Sequence, residues 1–471
     1  MEQQLNYCPV RRQALLQPDA LAIASAHGLI TFKALDIQIS GLQEQLCRAG
    51  LKTGDRLVCI AENSLNLILL QLCCLRSGVI FCPINPQFSK QEISARLTIL
   101  GSRFIWFEQA NLTSLTFDFE LNNKIEITNT QLKINPQQVI NIIFTSGSSG
   151  QPKAVMHNFS NHFYSASGSQ AQIPLGPGDK NLLSLPIFHI SGYATVMRSI
   201  IGGAGLILNA AKVTPQTLKA LRITHLSLVA AQLFNLLKSC DFKQSNLEIK
   251  HLLLGGSAFS EPLLQQTAAR GFTYHLSYGL TEMSSQVATS SNNQCLQLLK
   301  NRELKIRDQE ILLRGKTRFV GYFNGQMESS RIPESQWFAS KDLGIMLAGH
   351  LQIIGRKDRQ FISGGENIQP EEIERVLLRF SAVKQAYVVA VNDPRFGQRP
   401  VAFIDWLDDL PLTRQLDEHL KDRLSSYKRP LHYFLLPAQT RLKVSLKTLQ
   451  QTAHSYCHEM HSNPADSNSP A

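Results

Sequence analysis

Apolar residues recur along the chain with two different spacings, which predict alternating helices and strands. Helical spacing predicts helices over 32–49 and 65–77, and the second of these ends near Gly78. Short apolar or β-branched runs predict strands at 55–61, 79–85, 139–144, 181–185, 224–229 and 251–254. Because strands and helices follow one another in this way, the sequence predicts an α/β fold with mixed or parallel sheets.

The length of 471 residues predicts more than one domain, because a single hydrophobic core rarely serves more than about 300 residues. We place the division at the segment 355–358. This gives a large N-terminal domain of mixed sheets flanked by helices over 1–354, and a small α+β C-terminal domain over 355–454. Residues 455–471 end in a run rich in Ser, Asn and Pro, and we predict that they form a disordered tail.

The composition is 43% hydrophobic and 18% charged, which is typical of a globular protein with a well-packed core. The net charge is +11, but Lys and Arg are scattered, so a basic surface that attracts anionic cofactors is favoured over a nucleic-acid site. The nine cysteines include no Cys-x-x-Cys pair, which indicates reduced thiols in a cytoplasmic protein. No uncharged apolar run reaches the ~20 residues of a membrane helix, so we expect no membrane insertion. A homo-oligomer is left open.

A small, hydroxyl-rich segment follows the predicted strand at 139–144. It consists of Thr145, Ser146, Gly147, Ser148, Ser149 and Gly150. A loop of this kind, directly after a buried strand, exposes several backbone N–H groups and hydroxyls in one place. These donors can bind the many oxygens of a polyphosphate, and Lys153 adds a mobile positive charge. Gln151 and Pro152 separate the last glycine from that lysine, so this is not a Walker A loop. The alternative is a flexible Ser/Gly surface loop.

Together with segments downstream, this loop resembles the phosphate loop of the adenylate-forming superfamily, which includes acyl-CoA synthetases and aryl-acid ligases. The resemblance extends from about residue 10 to about residue 450. It implies an acid–CoA ligase that uses ATP, Mg²⁺ and CoA, and that forms an acyl-adenylate and then a thioester. Within the superfamily, segments 185–192, 363–372 and 396–401 most resemble ligases that use o-succinylbenzoate in menaquinone biosynthesis.

The resemblance also implies a nucleotide site in the segment that ends at Glu282. Tyr278, followed by Gly279, is expected to stack on adenine, and Thr281 is expected to lie beside the α-phosphate. Glu282 is expected to bind Mg²⁺. The residue types suit these roles, because an aromatic face, a hydroxyl and a hard oxygen ligand occur within five residues.

Further nucleotide and CoA contacts are implied near the predicted domain boundary. Asp342 and Arg356 are expected to bind the ribose hydroxyls, and Asp358 is expected to act as the hinge on which the small domain rotates. Gly364 and Gly365 are expected to line the pantetheine tunnel. Lys341 stands where the family usually has Gly, so we expect a different local turn; an Asp before Leu-Gly is otherwise a turn residue.

On the acyl side, the resemblance places His189 beside the substrate and assigns the pocket wall to Gly255, Gly256 and Ser257. His189 is alternatively a satisfied core histidine, and the two glycines alternatively mark only the passage from a strand to a loop. Arg198 is the sole charged residue from Asn181 to Ala211. A cation in such an apolar segment reaches solvent, pairs with a protein carboxylate, or binds an anionic ligand. As a ligand contact, it would hold the second carboxylate of a dicarboxylic acid.

The segment 441–449 resembles the C-terminal catalytic motif of the family, which is normally Gly-Lys-x-x-Arg-x-x-Leu. We align Lys443 with the catalytic lysine and keep Lys447 as the alternative. Leu442 and Leu446 replace the Gly and the Arg of the motif. Two other functions therefore stay open: a stand-alone aryl- or fatty-acid adenylating ligase that loads CoA or a carrier protein, and a catalytically impaired nucleotide-binding scaffold.

Overall fold

The computed structural model describes residues 4–108, 115–120, 130–146, 151–209, 212–257, 259–292, 295–328, 330–407, 412–437 and 444–462. In these ranges the chain folds into mixed sheets flanked by helices, which confirms the predicted α/β class. The described helices are α1 (Pro9–Leu16), α2 (Phe32–Arg48), α3 (Leu65–Ser77), α4 (Lys90–Leu100), α5 (Phe159–Ser169), α6 (Ile190–Gly202), α7 (Pro215–Ala220), α8 (Ala230–Leu237), α9 (Glu261–Ala269), α10 (Pro370–Leu377), α11 (Thr413–Lys421) and α12 (Leu446–Ser462).

The described strands follow the same chain order. They are β1 (Leu21–Ser25), β2 (Gly28–Thr31), β3 (Arg56–Ile60), β4 (Ile80–Ile84), β5 (Phe104–Phe107), β6 (Val139–Ser146), β7 (Pro152–Asn158), β8 (Lys180–Leu182), β9 (Gly205–Ile207), β10 (His225–Leu228), β11 (His251–Leu254), β12 (Tyr274–Leu280), β13 (Ser285–Ser291), β14 (Gln297–Leu298), β15 (Glu303–Arg307), β16 (Glu310–Arg314), β17 (Gly321–Tyr322), β18 (Phe338–Leu347), β19 (His350–Arg356), β20 (Phe361–Ser363), β21 (Glu366–Ile368), β22 (Val383–Asp393), β23 (Gly397–Trp406) and β24 (Tyr433–Leu435).

Local sequence signals explain where the predicted helices begin and end. The Thr31 side chain caps α2 by accepting from the backbone N–H of Ala34, and Ser64 caps α3 in the same way. Helix α3 ends where Gly78 adopts φ +71°, a left-handed conformation that glycine takes without strain. Both helices lie within the predicted spans.

The chain divides into two compact units. The first comprises 1–258, 267–304 and 313–338, and the second comprises 259–266, 305–312 and 339–471. The domain division that we predicted at 355–358 remains a prediction. In the described ranges, no helix combines the length and the apolar character that a membrane crossing requires.

Two sheets form the framework of the first unit in the described chain. One has the strand order β14-β13-β12-β11-β10-β8-β9-β1-β2, and the other has the order β17-β7-β6-β4-β3-β5. The inner strands β8, β10, β11 and β12 run parallel, so the residues that follow β10, β11 and β12 emerge at the same edge of the sheet. Binding sites in α/β sheets form at such an edge.

The second unit contains most of a sheet with the order β15-β16-β18-β19 and the whole of a sheet with the order β21-β20-β23-β22, with β24 beside β23. One face of α10 packs into the core of this unit, where Ile373 and Leu377 are buried. Helix α12 was not predicted, and it buries Leu449 and Ala453 on one face. It continues to Ser462, so the ordered chain reaches into the predicted tail over 455–471; residues 463–471 lie outside the described residues.

Candidate active site

The predicted phosphate loop is carried by the hairpin of β6 and β7. We expected the strand to end at Phe144, but β6 continues through Thr145 and Ser146, which pair with Lys153 and Pro152 of β7. The strand extends because β7 begins at Pro152 and so places a neighbouring strand beside these two residues. The predicted loop residues Gly147, Ser148, Ser149 and Gly150 lie outside the described residues.

Lys153 and Glu282 are brought together through a third side chain, Tyr322. The Tyr322 hydroxyl donates to Oε1 of Glu282 across 2.7 Å. The Lys153 Nζ lies 4.9 Å from the centre of the Tyr322 ring, a favourable cation–π geometry. The predicted phosphate-binding lysine and the predicted Mg²⁺ ligand therefore both contact one side chain of β17, that of Tyr322.

The backbone of Thr281 is held by a buried histidine of β7. His157 donates from Nε2 to the carbonyl oxygen of Thr281 across 2.7 Å. Burial lowers the pKa of His157 to about 4, so the ring is neutral at physiological pH. Residues 281–283 form a 3₁₀ turn directly after β12, which sets Thr281 and Glu282 beside the β6–β7 hairpin.

Tyr278 and Gly279 lie near the end of β12, at a β-bulge in its pairing with β13. A Cβ atom on Gly279 would overlap the carbonyl oxygen of Ser285, so only glycine permits this approach of the two strands. Ser284 and Ser285 both have positive φ, at +54° and +101°, in a backbone region that non-glycine residues seldom adopt. The turn after Glu282 is therefore strained, as is common at functional sites.

The residues predicted to form the wall of the acyl pocket follow β11, at the same edge of the sheet as the end of β12. Gly255 follows β11, and a Cβ atom there would lie 3.6 Å from the carbonyl oxygen of Ser277, next to Tyr278. Gly256 has φ +85°, and both Gly256 and Ser257 are exposed. The geometry thus brings the predicted pocket wall next to the predicted adenine-stacking residue.

Helix α6 carries the other two residues predicted on the acyl side. His189 stands at its N-cap, and its ring lies 5.0 Å from the Phe188 ring in an edge-on arrangement. Arg198 lies nine residues further along, which is about 13 Å at the rise of an α-helix. The two residues therefore lie about two and a half turns apart on one helix.

Arg198 lies in a small cavity that is formed by α6 and the starts of β10 and β11. Its polar lining also includes Asn181, His225, Ser227 and His251. The guanidinium donates to Oγ1 of Thr195 across 3.1 Å, and within the described chain no acidic side chain pairs with it. Burial lowers the pKa of Arg198 to about 10, so the side chain is still charged at pH 7. The cavity lining, as far as the structure describes it, does not include Gly255 or His189.

In the second unit, Asp342 and Arg356 face each other across β18 and β19. Arg356 Nη1 lies 3.2 Å from Oδ1 of Asp342, and the guanidinium also makes two bonds of 2.9 Å to Asp358. Lys341 lies within β18 and has φ +64°, in the left-handed region that glycine adopts most readily. The expected difference in the local turn stays a prediction.

The predicted pantetheine loop is the tight turn between β20 and β21. Gly364 and Gly365 both have positive φ, at +58° and +88°, as a two-residue hairpin turn of type I′ requires. The backbone N–H of Gly364 donates to the carbonyl oxygen of Phe396 across 2.8 Å. Lys443 lies outside the described residues, whereas Lys447 is exposed in the first turn of α12.

Sequence reasoning did not identify His157 and Tyr322. A polar residue directly after the apolar run 154–156 is a weak signal for His157, since a buried polar side chain needs a partner. Tyr322 follows Gly321 in a two-residue strand of ordinary composition. No local pattern marks it as part of a site.

The carboxylate of Glu282 has the chemistry that Mg²⁺ prefers. Its Oε1 accepts from Tyr322, while its Oε2 has no hydrogen-bond partner in the described part of the molecule. The described residues contain no cluster of three or more His, Cys, Asp or Glu side chains that could hold a metal. This arrangement suits Mg²⁺, which is commonly held by one or two carboxylates together with phosphate oxygens.

Known families and proteins match nearly the whole chain. The profile of the AMP-binding enzyme family matches residues 10–323, and that of the AMP-binding enzyme C-terminal domain matches residues 372–442. The chain is 31% identical over 456 residues to a 2-succinylbenzoate–CoA ligase of Salmonella typhimurium, a match that covers 95% of this chain and 98% of that protein. It is 32% identical over 455 residues to the Escherichia coli 2-succinylbenzoate–CoA ligase, covering 94% and 97% respectively.

Solved structures agree with these sequence matches. The o-succinylbenzoate CoA synthetase (MenE) from Bacillus subtilis, in complex with the acyl-adenylate intermediate OSB-AMP, superposes with a TM-score of 0.82 at 28% identity, covering 94% of this chain and 98% of that one. The same synthetase in complex with ATP and magnesium ion gives a TM-score of 0.81 at 27% identity, covering 94% and 99%.

Proposed function

The chain belongs to the AMP-binding enzyme family, and on this basis we propose that it is an ATP-dependent 2-succinylbenzoate–CoA ligase of menaquinone biosynthesis. The predicted superfamily is thereby confirmed. The proposed substrate rests on relatives of nearly equal length and on one observation, the charged Arg198 with no acidic partner in the described chain.

The reaction activates a carboxylate that is itself a poor electrophile. In the first step, an oxygen of the acid attacks the α-phosphorus of ATP, the bond to the β-phosphate oxygen breaks, and pyrophosphate leaves. In the second step, the CoA sulfur attacks the acyl carbon, AMP leaves, and the thiol proton passes to solvent. Catalysis of such a transfer depends on positioning and on charge stabilisation.

We assign the binding of adenine, the phosphates and Mg²⁺ to groups of the first unit. Thr145 and Lys153 would bind the β- and γ-phosphates, because the hairpin register sets them side by side. Thr281 would lie at the α-phosphate, with its backbone fixed by His157. Glu282 would hold Mg²⁺ together with phosphate oxygens, and the bound ion would neutralise phosphate charge. Tyr278 would stack on adenine.

Arg198 would bind the second carboxylate of the substrate. A half-buried arginine that, among the described residues, is bonded to a threonine hydroxyl and to no carboxylate is costly, and a carboxylate ligand would offset that cost through two parallel hydrogen bonds. His189, at the start of the same helix, would lie beside the reactive carboxylate.

The roles that we assign to the second unit rest on the resemblance and on local geometry. Asp342 and Arg356 would bind the ribose hydroxyls, and their ion pair keeps both side chains in one orientation. Gly364 and Gly365 would line the pantetheine path, and Asp358 would serve as the hinge. Lys443 would neutralise charge that develops on the carboxylate and the α-phosphate.

A cytoplasmic location is part of the proposal. All nine cysteines lie in the described chain and none forms a disulfide, which is the usual state in a reducing compartment. Five of them are fully buried in the core of the first unit, and these are Cys8, Cys59, Cys73, Cys74 and Cys82.

The test is a screen of carboxylic acids for ATP-dependent AMP release, with and without CoA. We expect o-succinylbenzoate to give AMP and its CoA thioester, with kcat/KM at least tenfold above that for benzoate or a fatty acid. Turnover of monocarboxylates at equal efficiency, or loading of a holo-carrier protein in place of CoA, would favour the stand-alone adenylating ligase. ATP binding without pyrophosphate exchange would favour the catalytically impaired scaffold. That alternative is open because Leu442 and Leu446 replace the Gly and the Arg of the catalytic motif.

A further inference from the structure

Tyr322 lies between two oppositely charged side chains of the proposed site. It belongs to β17, which pairs with β7 in the register Tyr322↔Val155. The same segment is also bonded to the turn after β12, because the N–H of Phe319 donates to the carbonyl oxygen of Glu282 across 2.8 Å. The backbone around Tyr322 therefore joins the strand of Lys153 to the turn of Glu282.

The side chain of Tyr322 is held in place by contacts with three other side chains. Phe319 is buried, and its ring meets the Tyr322 ring edge-on at 4.8 Å. The hydroxyl donates to Glu282 across 2.7 Å, and the ring meets Lys153 Nζ at 4.9 Å. Three contacts thus fix the position of one phenol.

The arrangement keeps two opposite charges from neutralising each other. Within the described chain, Lys153 and Glu282 form no ion pair, although both contact the same side chain. A direct pair would occupy the ammonium that the phosphates need and the carboxylate that Mg²⁺ needs. A neutral phenol orients the carboxylate without removing its charge, and a π face stabilises the ammonium without an anion.

We propose that Tyr322 is a positioning residue that holds Glu282 and Lys153 apart and oriented, so that they meet the metal ion and the phosphates rather than each other. This inference rests on the proposed function, because it assigns Tyr322 to the same nucleotide site. In this role Tyr322 would act through Glu282 and Lys153 and not on the reacting atoms.

The test compares Tyr322→Phe, which removes only the hydroxyl, with Tyr322→Leu, which also removes the ring. ATP binding is measured by calorimetry over a series of Mg²⁺ concentrations. We expect Tyr322→Phe to raise the Mg²⁺ concentration for half-maximal ATP binding roughly tenfold, as the loss of one hydrogen bond to a charged group predicts. Tyr322→Leu is expected to weaken ATP binding further at saturating Mg²⁺, because Lys153 then pairs with Glu282.

AMP serves as the internal control, because it lacks the β- and γ-phosphates; its affinity is expected to stay within twofold of wild type in both variants. The matched variant is Tyr164→Phe. The Tyr164 ring also lies under a lysine, with Lys316 Nζ at 4.5 Å, but outside the proposed site. We expect its Mg²⁺ dependence to equal that of wild type.

A double-variant cycle gives the sharpest measurement. In a Glu282→Gln background, Tyr322→Phe is expected to have no further effect on the Mg²⁺ dependence, because the two side chains act as one unit. An unchanged Mg²⁺ dependence in Tyr322→Phe, or effects that add in the double variant, would overturn the inference. Failure of the wild-type protein to bind ATP at any Mg²⁺ concentration would instead overturn the proposed function.

Discussion

The imidazole of His157 donates from Nε2 to the backbone carbonyl of Thr281, 2.7 Å away. A carbonyl oxygen only accepts, so the proton of the neutral ring is on Nε2, and Nδ1 accepts from the amide of Asn141 across 3.1 Å. The Asn141 oxygen in turn accepts from Nε2 of His162 across 2.7 Å. A row of buried polar side chains, those of His162, Asn141 and His157, therefore holds the backbone of Thr281 in place, directly before Glu282.

This buried row predicts that the protein loses stability in mild acid. Burial lowers the pKa of His157 from 6.5 to about 4 and places that of His162 well below its ordinary value. The unfolded chain then binds more protons, so stability is complete above pH 6.5 and declines as the pH falls toward 4. His157 alone is expected to lower the free energy of unfolding by about 2 kcal/mol between pH 7 and pH 5. Urea unfolding at both pH values measures this change.

The control for the acid effect is His157→Gln, whose amide does not titrate. Its free energy of unfolding is expected to depend less on pH over the same interval than that of wild type. An equal dependence in the two proteins would show that His157 titrates normally in the folded state.

Gly279 and Gly255 form a matched pair of glycines beside the proposed site. Gly279→Ala is expected to destabilise the protein by about 2 kcal/mol or more, because its Cβ would overlap the carbonyl oxygen of Ser285. Gly255→Ala places its Cβ at an ordinary 3.6 Å from its nearest neighbour, so its stability should stay within about 0.5 kcal/mol of wild type. Thermal unfolding of both variants makes the comparison. Equal losses would refute the close approach of β12 and β13.

Arg198→Ala is expected to raise KM for o-succinylbenzoate at least tenfold while KM for ATP changes little, because the variant loses the counter-ion of the distant carboxylate. Arg198→Lys should also be impaired, since an ammonium cannot form the paired hydrogen bonds of a guanidinium. Steady-state kinetics with a dicarboxylate and a matched monocarboxylate separate this role from a structural one. Equal losses for both acids would argue against it.

Asp342→Ala is expected to weaken ATP binding about tenfold, because the ribose hydroxyls lose a charged acceptor. The same variant should lose most of the wild-type preference for ATP over an analogue without the 2′-hydroxyl. Asp405→Ala is the control, because Asp405 pairs with Lys384 across 2.6 Å in the second unit and is assigned no contact with the nucleotide. An Asp342 variant that keeps its full preference for the hydroxyl would exclude the ribose role.

The two candidate catalytic lysines differ in what their removal should do. Lys443→Ala is expected to reduce the rate of acyl-adenylate formation by at least a hundredfold, whereas Lys447→Ala, which removes an exposed side chain of α12, should leave it within twofold. The rate of this step is measured by pyrophosphate exchange in the absence of CoA. The reverse order of effects would reassign the catalytic lysine to Lys447.

The sequence alone determined the features that depend on neighbouring residues. The helices over 32–49 and 65–77 follow from apolar spacing and from the side chains that cap them, and the α/β class follows from their alternation with apolar strands. The prediction of a phosphate segment depends only on small residues, glycines and Lys153 that stand in one short run. These signals are local, so they can be read before any tertiary contact is known.

The tertiary structure alone decided which distant groups meet. His157 and Thr281 are 124 residues apart in sequence, and Tyr322 follows Glu282 by 40 residues. Their contacts exist because β7 pairs with β17 and because the turn after β12 is bonded to the same segment. Strand pairing of this kind depends on the whole core and is not encoded in any short pattern. For the same reason, the extension of β6 through Thr145 was decided by its partner β7 and not by its own residues.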